Sequence, residues 1–232
     1  MKVFESPHYL FHYEVGTAAE QDIEEIADKQ ERCFAHICSI LRINPSIKIE
    51  YFLCNSPEDV GRIYGDDEPC NGFTVMPNQI YAVYNDKVKC VGFHEDAHII
   101  SYTINRPECP AIREGLAMFF DRKWWGIHNL DWVGFFLKYD SYIPVEKLLD
   151  KEFFFAQECS ITYPIMGAFA EWIISRFGIE KFKCLFMESD IVNSMGHIYG
   201  GTPAELNHAF VSYVQLFDTD TVLEGRMLCL IE

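Results

Sequence analysis

The amino-acid sequence predicts an α+β fold: a small mixed sheet with one histidine-bearing helix, followed by a mostly helical C-terminal half. Three observations predict it. Stretches that alternate apolar and polar residues occur only before Asp86, and helical periodicity dominates after it. The 232 residues are 49% hydrophobic, enough to bury one sizeable core. No Ser/Gly-rich linker, repeat or low-complexity tract divides the chain. The expectation is therefore a single domain over 1–232, with an α/β part at 1–105 and a helical part at 106–232.

Taken in order, "HYLFHYEV" alternates as a strand. The segment that follows repeats apolar residues at Ile23, Ile26, Ala27, Phe34, Ile37, Ile40 and Leu41, the spacing of a long amphipathic helix. "SIKIEYFLC" is a second strand, bounded by Asn44-Pro45 and Asn55-Ser56-Pro57. "SPEDVGRIYG" predicts a short helix capped by Ser56, with Pro57 first and a glycine stop. "NGFTVMPNQIYAVYND" predicts a hairpin. Helices are expected near 86–104, 110–125, 130–139, 162–177, 179–188 and 203–217. The last starts on a capping box, Thr202 to Glu205, with Pro203 in the first position.

Composition excludes several function classes. A formal charge of −16 argues against nucleic-acid or anionic-membrane partners, which require clustered Lys and Arg. The apolar runs are too short to span a bilayer, and the N-terminus lacks the apolar core of a signal peptide, so a cytoplasmic protein is expected. Nine scattered cysteines with no C-x-x-C motif read as reduced core residues rather than as a disulfide framework.

The most informative stretch is "VGFHEDAHIISYTI". On a helix, His94 and His98 stand one turn apart on one face, so both can present a ring nitrogen to a single metal ion. Glu95 occupies the adjacent sector, where a general base takes a proton from a water held by the metal. Two imidazoles and a carboxylate suit zinc, and Glu114 supplies the carboxylate from the start of the next helix, after the Pro107–Pro110 reversal. By composition alone, an H-E-x-x-H arises in about one chain in forty. Adding a glutamate-glycine pair after a proline turn lowers that to well under ~1%. The bland alternative is a helix that happens to carry two histidines.

These segments resemble the gluzincin metallopeptidases, the peptidase MA-like group. The resemblance is carried by the HEDAH helix, by "REGLAMFF" and by "SITYPIMGAFAEWIISRFGIEKF", and covers roughly residues 70–190. It implies a zincin-like domain with His94, His98 and Glu114 as Zn2+ ligands and Glu95 as general base and proton shuttle. It also implies a peptide or protein substrate laid along an edge strand, for which "QIYAVYND" is the counterpart. Some members place an aspartate four residues after the ligand glutamate to orient a histidine; here that position is Met118. Tyr163, opening the later helix, corresponds to a tyrosine that stabilises the transition state. His197 and Tyr199, in a glycine-rich loop, are further candidates for a transition-state contact or lid. The expected activity is peptide-bond hydrolysis. The alternative is a catalytically inactive binding or regulatory module with structural zinc. His8, His12, His36, His128 and His208 lack ligand spacing and read as ordinary residues. The sequence leaves the oligomeric state and cleavage specificity open.

Overall fold

The computed structural model describes residues 1–65, 68–218 and 220–231. Their fold is α+β, with a small mixed sheet and many helices. The chain divides into two compact units, Met1–Ile104 and Asn105–Glu232.

The first unit contains β1 (Lys2–Glu5), β2 (Tyr9–Tyr13), α1 (Ala18–Gln21), α2 (Ile23–Leu41), β3 (Ile49–Cys54), α3 (Pro57–Tyr64), β4 (Gly72–Val75), β5 (Gln79–Val83) and α4 (His94–Ser101). The strands form one sheet in the order β1-β2-β3-β5-β4. Its centre is parallel (β2 with β3, β3 with β5) and both outer pairs are antiparallel. Strict alternation along β2 and β3 buries Tyr9, Phe11, Ile49, Tyr51 and Leu53 on one face. On α2, Ile26, Phe34, Ile37 and Leu41 form the buried stripe that the sequence periodicity predicts. Ile40 is only half-buried on its flank, and Asp22 separates α2 from the short α1.

Two expectations are corrected here. The histidine helix is shorter than 86–104, because the Asn85 side-chain Oδ1 accepts the backbone N–H groups of Lys87 and Val88, closing a turn that competes with helix. "QIYAVY" is not an edge strand. It forms β5, hydrogen-bonded on both sides, and the edge is its hairpin partner β4.

The second unit contains α5 (Pro110–Asp121), a two-stranded hairpin of β6 (Lys123–Trp124) and β7 (Ile127–His128), α6 (Asn129–Lys138), α7 (Val145–Leu148), α8 (Lys151–Phe155), α9 (Cys159–Phe177), α10 (Ile179–Phe186), α11 (Ile191–Tyr199), α12 (Pro203–Val214) and α13 (Thr221–Ile231). Helix α12 begins on the expected capping box. The pairing of α5 with α9 depends on two glycines. A Cβ at Gly115 would lie 3.0 Å from the Met166 carbonyl oxygen, and one at Gly167 would lie 2.6 Å from Met118 Cβ. The helices thus approach through backbone, which larger residues at either position would prevent.

The aromatic run after α5 is mostly core, as Trp132, Phe135 and Phe136 are all buried. Of the cysteines only Cys33 is buried, and Cys159, Cys184 and Cys229 are exposed. The core reading of the cysteines therefore fails for most of them. Among the described residues, no helix is long and apolar enough to cross a membrane.

Candidate metal centre

Helix α4 begins at His94 itself and has no side-chain cap. His94 and Glu95 at its start are half-buried, and every residue from Asp96 to Ser101, His98 included, is buried, as in a helix enclosed on all sides. The His94 and His98 rings lie 5.0 Å apart, edge to face, as i and i+4 on one face require. Helix α4 packs against β4 and β5. At the edge strand, Gly72 leaves room for the Glu95 carboxylate: a Cβ there would sit 3.2 Å from Glu95 Oε1.

Two residues that the motif reading passed over support this helix. Tyr102, one turn after His98, places its hydroxyl 3.3 Å from His98 Nδ1 and stacks its ring on the imidazole. With Nδ1–H donating to that hydroxyl, Nε2 carries the lone pair that a metal needs. The H-x-x-x-Y spacing was visible in the sequence. Asp96, a motif residue that a helical wheel places on a flank, is fully buried. Burial holds its carboxyl well above the usual carboxylate range, and the Tyr9 hydroxyl donates to it.

In the second unit, Glu114 lies one turn into α5, beside the Gly115 contact with α9. The thiol of Cys159, at the start of α9, is pushed up by burial first, then by Glu158 and more weakly by Glu114. Tyr163 follows Cys159 by one turn, so it lies within the helix rather than opening it. Its ring meets Trp124 edge-on at 5.7 Å and Phe154 at 6.2 Å. Met118, where some gluzincins carry aspartate, is fully buried against Gly167 and serves packing.

His197 and Tyr199 are not in a loop. They belong to α11, which Asp190 caps at its start and Gly200 ends in the left-handed conformation. The Tyr199 ring is buried against Phe177 and its hydroxyl donates to the Lys181 carbonyl. That contact is a packing role for Tyr199, and the expected glycine-rich loop is a helix. A cavity of about 470 Å³ beside His12, Phe52, Cys54 and Tyr81 contains none of the motif residues.

In the first unit, His94 and His98 offer two imidazole nitrogens from one face of α4. In the second unit, Glu114 offers a half-buried carboxylate near the start of α5. The donor chemistry, two imidazoles and one carboxylate, fits zinc with a position left for water. Compared with family models, with curated proteins and with solved structures, the chain gives no match.

Proposed function

We propose that this protein is a zinc-dependent metallopeptidase of gluzincin type. The observation that carries the reading is the pairing of His94 and His98 on one face of α4, their rings 5.0 Å apart, with Glu95 adjacent to the first of them. His94, His98 and Glu114 would hold the ion, which when bound supplies Lewis acidity to a water and to a peptide carbonyl. Glu95 takes the proton of the attacking water and delivers it to the departing amine. Its position on the helix flank suits that role, because a structural site needs no base there. Tyr102 holds the His98 ring. Tyr163 is the candidate donor for the developing oxyanion that the gluzincin resemblance suggests. The edge strand β4, rather than β5, is the strand along which an extended peptide would pair.

Metal analysis of the purified protein tests this, with about one zinc per chain expected. Glu95→Gln should retain zinc and lose cleavage of a peptide library by at least about 100-fold. A wild type without zinc, with His94→Ala changing neither stability nor activity, would sink the proposal. A wild type that holds zinc and cleaves nothing would instead make the site structural.

A further inference from the structure

The β6–β7 hairpin carries a side chain that fold stability does not explain. Its two tip residues, Trp125 and Gly126, have φ of 51° and 76°, the pattern of a type I′ turn. Asn or Gly suits the first of these positions, whereas a bulky residue there is strained. Trp125 also leaves 47% of its surface in water, so burial does not repay the strain. The indole meets Trp124 at 5.5 Å and lies edge-on to the fully buried Trp132 at 5.9 Å, and Trp132 Nε1 donates to the Trp124 carbonyl. A strained and exposed aromatic residue points to a contact made with something else.

Its neighbours locate that contact. Trp124 joins Tyr163, Tyr163 joins Phe154, and the adjacent Phe155 is 62% exposed. A chain of ring contacts therefore runs from Trp125 through the half-buried Trp124 and Tyr163 and the buried Phe154 to Phe155. Tyr163 lies one helical turn from Cys159 on α9, the helix that packs against the Glu114-bearing α5. Trp124 Nε1 is buried and has no acceptor among the described residues. A substrate carbonyl beside the hairpin would supply one after a small rotation of the ring.

We propose that Trp124, Trp125, Tyr163 and Phe155 form a subsite that takes a large apolar, preferably aromatic, side chain of the peptide substrate. This rests on the peptidase reading above. The paired rings present flat apolar area and edge-to-face partners, which favour Phe, Tyr or Leu over small or charged residues.

Cleavage-site profiling on a mixed peptide library tests the subsite. The wild type should prefer Phe or Leu to Ala at one position flanking the scissile bond by about tenfold or more. Trp125→Ala should reduce that preference to about threefold or less. Trp125→Asn suits the left-handed turn, so it should unfold at the same or a higher temperature and still lose the preference. A flat wild-type profile, or a preference that both variants keep, would overturn the subsite. If the wild type holds zinc but cleaves nothing, the peptidase reading fails and binding decides the subsite alone. N-acetyl-phenylalaninamide should then shift the tryptophan fluorescence, N-acetyl-alaninamide should not, and Trp125→Ala should abolish the response. No response to the aromatic amide overturns the subsite in that case as well.

Discussion

The Tyr9 hydroxyl donates to Asp96 Oδ2 at 2.5 Å, and neither residue has any surface exposed to water. The bond joins β2 to the middle of the histidine helix across 87 positions of sequence. Gln30 extends the link, since its Nε2 donates to the Gly92 carbonyl just before that helix. The helix is thus located by buried polar contacts as well as by its apolar face. Such contacts cost more to break than to omit, because a lone polar group in the core keeps its full desolvation penalty.

Tyr9→Phe should therefore destabilise the protein by about 1–3 kcal/mol, because it removes the donor and leaves the Asp96 carboxyl buried. Denaturant unfolding measures it. A loss within about 0.3 kcal/mol would mean that the contact contributes nothing net.

Tyr102→Phe addresses the metal centre rather than the core. It keeps the ring that stacks on His98 and removes the hydroxyl facing Nδ1. Zinc affinity, measured by competition with a chelator, should fall by about tenfold while the apo-protein unfolds as before. Unchanged affinity would remove Tyr102 from the site.

The α5–α9 contact gives a paired prediction. Gly167→Ala would place a methyl group 2.6 Å from Met118 Cβ and 2.5 Å from Asn129 Nδ2, and should cost about 1–3 kcal/mol. Gly196→Ala in α11 meets nothing within 4 Å and should stabilise by up to about 1 kcal/mol. Thermal unfolding of the two variants separates close approach from helix propensity, and equal effects of the same sign would contradict this account.

Asp22 supplies a pH test. Lys89 and then Tyr84 hydrogen-bond to its carboxylate and hold its pKa below the usual aspartate range. A depressed folded-state pKa contributes stability above the unfolded value near ~4, and that contribution is lost as pH falls through the folded one. The stability gap between wild type and Asp22→Asn should therefore shrink as the pH is lowered from about 5 to 3. A gap that is constant with pH would show that the pairing is not electrostatic.

The periodic elements were legible in the sequence, as were the one-turn spacing of His94 and His98 and the capping box at Thr202, because each depends on residues within one or two turns of one another. The reading failed where short-range competition or long-range placement decided. The Asn85 turn shortened α4, and Asp190 with Gly200 made a helix of what reads as a glycine-rich loop. Both signals were present, but each was weaker than the pattern beside it.

What the sequence by itself determined is the α+β class and the H-E-x-x-H face, since both follow from local periodicity. Only the tertiary structure decided that β4 rather than β5 is the edge, that Asp96 is sealed in the core by Tyr9, and that Tyr199 is a packing residue. Strand order and buried polar partners depend on which distant segments share a surface, and side-chain periodicity carries no record of that choice.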